Sequence, residues 1–319
     1  MVTRRTLVIS LSAVGLALPF GALAQQRKIH RLGLLATNSH LTNAFLDAMR
    51  ELGYIEGQNL ALEIRHWGGN AALLPRMSAE LVERKVDVIL TGNTGSTQAA
   101  KRVAGSTPIV FANVGDPVAS GFVETLAKPG ANITGVTILS PQLASKRLQI
   151  FKEAFPSTSR MGILVADSTP PLVKATERAA KALGMTAVIE RYEHADQLRD
   201  VEARLRSARL DSLYILEASI NTFNRTPIAE MAIRLKLPTL ASARELVEAG
   251  ALISYGVDYA ACWRRAALYV DKILKGARPA DLPVELPSKF ELVVNQKAAR
   301  LIGHKIPPSV LARADRVIE

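Results

Sequence analysis

The chain has 319 residues, 40 Lys and Arg against 29 Asp and Glu for a formal net charge of +11, and one cysteine. A lone Cys262 excludes an intramolecular disulfide and any cysteine-based metal site. The basic residues are scattered among acidic ones along helical stretches, with no basic run interleaved with aromatics, so the excess reads as solvated surface and not as a nucleic-acid footprint.

The first 24 residues read as an export signal. Arg4 and Arg5 form a positive start, "TLVISLSAVGLALPF" is an apolar stretch short for a membrane span, and Ala22-Leu23-Ala24 suits a signal peptidase. The expectation is a periplasmic protein cleaved near Ala24-Gln25; an uncleaved anchor and the choice of export route stay open. The remaining chain of about 295 residues is too long for one comfortable core and predicts two lobes.

A repeat supports that division. "LGLLATNSHLTNAFLDAMRELG" (32–53) and "MGILVADSTPPLVKATERAAKALG" (161–184) each place a Gly and a short apolar strand before a polar loop, then an amphipathic helix stopped by Leu-Gly. Second strands ("NLALEIRHW", "MTAVIERYE"), helices with leucines at helical spacing, and third strands begun by an apolar residue and Asp ("VDVILTGN", "LDSLYILEAS") follow in both halves. This is β-α-β-α-β twice, the pattern of two parallel α/β sheets with crossover helices.

Such sheets bind ligands outside the carboxyl ends of their strands, where helix N-termini point free N–H groups. The candidate loops are 37–41, 92–97 and 114–118 in the first half and 166–171 and 217–224 in the second. They nominate Asn38, Ser39, Thr94, Gly95, Ser96, Asp116, Asp167, Ser168, Glu217, Asn221 and Phe223. Thr94 is the expected cap of a helix whose Gly95 and Ser96 N–H groups suit a carboxylate. "TGNTGSTQAAKR" lacks the spacing and the Lys of a nucleotide phosphate loop. Asp116-Pro117 is expected to open a helix, with Asp116 either spent as its cap or keeping an oxygen for a ligand amine. Tyr255-Gly256 reads as a segment crossing between lobes, with Tyr255 a possible apolar wall. Cys262 reads as a packing residue. The five histidines show no H-E-x-x-H or i, i+4 pair and no G-x-S-x-G elbow is present, so neither a metal site nor a hydrolase has support, and no cofactor is expected.

The stretches "ELGYIEGQNL" (51–60), "ELVERKVDVIL" (80–90), "TPIVFANVGDPVASGFVETLAKPGANITGVT" (107–137), "LISYGVDYAACWRRAALYVDKILKGARPADLPVELPSKFELVVN" (252–295) and the ending "IPPSVLARADRVIE" resemble the substrate-binding proteins of ABC importers, in the subgroup that includes binders of tryptophan and other aromatic amino acids. The resemblance covers essentially the whole mature chain. It implies a type I periplasmic-binding fold, with two Rossmann-like lobes of parallel strands joined by three crossing segments: 25–140 with about 256–283, and 141–255 with about 284–319. It also implies a monomer that is no enzyme, closing on a small carboxylate-bearing ligand for delivery to a permease and an ATPase. The alternative is an extracytoplasmic sensing module feeding a membrane receptor. On the resemblance, the turn after Thr94 holds the ligand carboxylate, Asp116 stands at the Asp of "GDPV", and Tyr255-Gly256 at the crossing "SYG". Two departures leave the ligand class open: Gly95 stands where many relatives have Pro, and Ala218 where an Asp is common.

Overall fold

The structure, a computed structural model, describes residues 28–36, 39–166 and 170–319; the export-signal stretch and the candidates Asn38, Asp167 and Ser168 lie outside them. The first lobe runs β1 (His30–Ala36), α1 (Ser39–Glu51), β2 (Leu60–His66), α2 (Leu74–Glu83), β3 (Val88–Thr91), α3 (Thr94–Val103), β4 (Ile109–Val114) and β5 (Ile133–Thr137). Its strands pair in the order β2-β1-β3-β4-β5, all parallel. β3 and β4 are buried along their whole length because helices cover both faces, and their sequences VILT and IVFANV accordingly show little polar alternation.

The second lobe follows with α4 (Ser140–Ala154), β6 (Arg160–Val165), α5 (Pro170–Ala182), β7 (Thr186–Arg191), α6 (Leu198–Ser207), β8 (Ser212–Ile215), α7 (Ser219–Phe223), α8 (Arg225–Arg234), β9 (Thr239–Ala241), α9 (Arg244–Glu248) and β10 (Ile253–Val257). The long α10 (Tyr259–Leu274) returns to pack on α1 and under β4 and β5, and Trp263 meets Phe45 edge to face with centroids 6.5 Å apart. Then β11 (Phe290–Asn295), α11 (Gln296–Leu301), α12 (Pro308–Leu311) and β12 (Arg316–Ile318) complete a sheet ordered β12-β11-β10-β9-β8-β6-β7. Among the described residues no helix is long and apolar enough to cross a membrane.

The repeat is real in three dimensions. α1 buries Leu41, Phe45, Ala48 and Met49 on one stripe and stops at Gly53, whose φ of +89° an L side chain rarely adopts; α5 stops the same way at Gly184, φ +70°. The Asp before each third strand ties back to the start of the first. Asp87 Oδ2 accepts from Arg31 N at 2.7 Å, and Asp211 Oδ2 from Ser159 N and Arg160 N at 2.7 and 2.9 Å. Burial works to raise Asp211, but those two amides together with the Ser159 and Ser212 hydroxyls outweigh it and hold its carboxyl below the usual range.

Three expectations change. β10 and β11 pair antiparallel, so the second sheet is mostly, not wholly, parallel. Tyr255 and Gly256 lie inside β10, and the chain crosses just after them, between Val257 and Tyr259; a Cβ on Gly256 would stand 2.5 Å from the Ser242 carbonyl, which is why no side chain fits there. Val284 and Glu285 hydrogen-bond to Leu126 and Gly135 of the first lobe, so the last crossing follows them. Nor does Asp116-Pro117 open a helix: a single turn, closed by Ser120 N to Asp116 O (3.1 Å), is reversed at Gly121 (φ +67°), which sends Phe122 and Val123 into the core. Cys262 is buried, and burial pushes its thiol up to about 12, leaving it an inert packing group.

β4 and β5 approach so closely at their register shift that Gly135, φ +151°, has space for no Cβ: one would lie 2.0 Å from the Phe111 carbonyl oxygen. Gly135→Ala is expected to cost about 3 kcal/mol or more, measured as a lowered midpoint in thermal or urea denaturation.

Candidate functional site

The carboxyl ends of both sheets face one cleft. Its walls come from the loop and first turn after β3 (Gly92–Gly95), from Asn113 in β4 and Ile138 beyond β5, from Glu217–Ser219, Thr222 and Phe223 after β8, and from Glu245 and Tyr259 at the starts of α9 and α10. The open space is about 820 Å³, mouth included.

The lobes touch across it. Asn93 Nδ2 donates to Ser219 Oγ, and Ser140, at the crossing into α4, donates to Glu217. Trp67, at the cleft end of β2, meets Phe223 edge to face with centroids 5.9 Å apart. Gly69 leaves room for the same ring: its missing Cβ would lie 3.0 Å from Phe223 Cδ2. Gly115 is equally tight, with 2.9 Å between its missing Cβ and Glu217 Oε1.

The polar groups divide into those already satisfied and those not. Arg147, 1% exposed, donates from Nε to Tyr255 O (2.7 Å) and from Nη1 to Tyr214 Oη (3.4 Å), and lies 3.8 Å from Glu217 Oε2. Burial disfavours its charge, but Tyr214 and Glu217 more than restore it, so it stays a guanidinium. Arg244 is shared between Asp258 and Glu291, each at 3.3 Å. Glu245 and Tyr259 differ: Glu245 Oε1 and the Tyr259 hydroxyl are sealed from solvent and have no hydrogen-bond partner. Burial raises the Glu245 carboxyl above the usual range, outweighing its own backbone amide and Arg244, and burial pushes Tyr259 well above its ordinary value, with the Glu217 charge adding to it. Buried polar atoms are almost always paired, so two orphans in one pocket are groups that a ligand donor or acceptor can satisfy.

Of the residues read from sequence, the structure brings Thr94, Gly95, Glu217 and Phe223 into this pocket. Asn93, not Thr94, caps α3: its Oδ1 accepts from Ser96 N at 2.7 Å, and Ser96 Oγ answers to Asn93 N at 3.2 Å. Ser96 is therefore consumed by the capping box, and only the N–H groups of Thr94 and Gly95 remain for a ligand. Asp116 stands off the pocket and spends Oδ1 on Ala119 N at 2.9 Å. Asn221 is buried, with its amide committed to Tyr192 Oη (2.5 Å) and Leu216 O (2.7 Å). Tyr255 stacks on Phe290 at 6.0 Å and takes no part in the walls, and Ser39 is exposed at the start of α1. Sequence reading missed Glu245 and Tyr259. Glu245 follows the carboxyl end of β9, where the same strand-end rule applies, but β9 is three residues long and carries no polar signal of its own.

The model of the family described as ABC transporter substrate binding protein matches residues 37–318. A tyrosine-binding protein from Clostridioides difficile (strain R20291) is 25% identical over 262 residues, covering 81% of this chain and 75% of that protein. The structure is similar to the ABC domain in complex with L-Trp from Streptococcus pneumoniae, with 25% identity and a TM-score of 0.84 over 91% of this chain and 100% of that one. It shares the fold of a ligand-free, open substrate-binding protein with adhesive properties from Clostridium difficile, at 24% identity and a TM-score of 0.63 over 92% and 99% of the two chains.

Because the folded state holds the Glu245 proton more tightly than the unfolded chain, its contribution to stability is present below the ordinary value of 4.5 and lost as pH rises through the raised one. Glu245→Gln is expected to raise the melting temperature of the unliganded protein at neutral pH, with the gain fading near pH 4, as read by scanning calorimetry at the two pH values.

Proposed function

The chain belongs to the family of ABC transporter substrate-binding proteins, which are extracytoplasmic binders and not enzymes, and on that premise we propose that it captures an amino acid with an aromatic or large apolar side chain for an ABC importer. The observation that carries this reading is the pair of unpaired buried oxygens, Glu245 Oε1 and Tyr259 Oη, facing a wall that includes Phe223. An ammonium supplies charge and donors to Glu245, and the ligand's carboxylate lies against the free N–H groups of Thr94 and Gly95 at the start of α3. Phe223, braced by Trp67, borders the side chain. The L-Trp complex and the tyrosine-binding relative support the aromatic class.

Binding works by closure about the crossings at 138–140, 257–259 and 286–289. The better superposition on the L-Trp complex than on the open, ligand-free protein supports the reading that the lobes stand here as they do around ligand. A permease and ATPase then receive the closed, loaded form, and the protein acts as a monomer in the periplasm.

Thermal-shift titration with L-tryptophan, L-tyrosine and L-leucine tests this. At least one is expected to raise the melting temperature in proportion to the logarithm of its concentration. Gly115→Val, which crowds Glu217 only when the lobes meet, is expected to fold normally but bind at least tenfold more weakly. Stabilisation by none of the three would overturn the reading.

A further inference from the structure

Charge within the closed cleft is lopsided. Glu217 is held by Ser140 and Arg147, and Arg147 itself is spent on Glu217, Tyr214 and the Tyr255 carbonyl. Arg244, the cation nearest Glu245 in sequence, is divided between Asp258 and Glu291. Arg225 is exposed at the mouth and donates to Thr222 O at 3.1 Å. Among the described residues of the lining, what remains is one carboxylate oxygen without a partner, one phenol without a partner, and no uncommitted buried guanidinium or ammonium. For a ligand carboxylate the described lining offers two amides at the start of α3, since the third is taken by Asn93, together with neutral hydroxyls, and its one cation, Arg225, lies exposed at the mouth. A dipole end is a weaker partner than a full charge, and its effect falls off within a turn.

Resting on the amino-acid reading of this site, we propose that the ammonium is the obligatory handle of the ligand and the carboxylate a dispensable one. The pocket is thus an amine site, which accepts the decarboxylated arylethylamine alongside the amino acid and rejects the deaminated acid. Glu245 and Tyr259 are the residues that set this preference. A deaminated acid leaves Glu245 Oε1 without a donor and adds a second negative charge beside it, whereas a decarboxylated amine leaves backbone amides that water at the cleft mouth can reach.

The test is calorimetric titration of the wild-type protein with two matched sets: L-tryptophan, tryptamine and indole-3-propionic acid; L-tyrosine, tyramine and 3-(4-hydroxyphenyl)propionic acid. In the set that binds, the amine is expected within about tenfold of the amino acid and the acid at least 100-fold weaker. Glu245→Gln, checked for folding by circular dichroism, is expected to weaken amine and amino acid alike. An acid that binds as well as its amine overturns the proposal while leaving the amino-acid reading intact. Amines that bind where amino acids do not sustain the proposal and overturn that reading. Failure of both amines and amino acids to bind overturns both.

Discussion

Everything about this cleft depends on where one buried guanidinium spends its charge. Arg147 sits on α4, the first element after the chain leaves the first lobe, and ties that helix to the carbonyl of Tyr255 in β10 and to Tyr214 in β8. A charge this deep is tolerable only when its donors are satisfied and a counter-charge is close. Glu217 provides the counter-charge at 3.8 Å, and Ser140 orients it. Glu217 is thereby turned into part of the joint between the lobes, and the remaining acid, Glu245, feels only the backbone and Arg244, a cation already shared with Asp258 and Glu291. Two carboxylates in one pocket acquire different roles from which of them Arg147 can reach.

The duplicated architecture explains why the joint and the pocket lie so near each other. Each lobe repeats one βαβαβ plan, and both direct the carboxyl ends of their strands inward. Residues after β3 and β8, equivalent in the two halves, therefore meet, with Asn93 donating to Ser219, and Phe223 settles on Trp67 and Gly69 after β2. Small residues at 69 and 115 permit that approach. In "GDPV" the position that matters for the cleft is Gly115, against Glu217, and not the conspicuous Asp116 beside it, which serves its own turn.

Much of this was legible in the sequence, and what was not has physical reasons. Strand and helix order followed from periodicity and from the repeat, and the strand-end rule nominated Thr94, Gly95, Glu217 and Phe223, which line the pocket. The same rule over-reached where a polar residue at a strand end is consumed locally: Ser96 and Asp116 by their own turns, Asn221 by Tyr192 and Leu216. The cap preference of Asn over Thr would have moved the α3 cap to Asn93 from composition alone. Tyr255 misled because an aromatic beside a crossing looks like a cleft wall, whereas its position in β10 turns it onto Phe290. Glu245 and Tyr259 carried no local signal, since their significance lies in what fails to surround them, and that is a property of packing between distant segments.

A crystal structure of the protein grown with L-tryptophan or tryptamine bears most directly on the central claim. The account predicts the ligand enclosed between the lobes with its nitrogen within hydrogen-bonding distance of the Glu245 carboxylate. A ligand whose nitrogen points to solvent, or whose carboxylate occupies the place beside Glu245 and Tyr259, would contradict it.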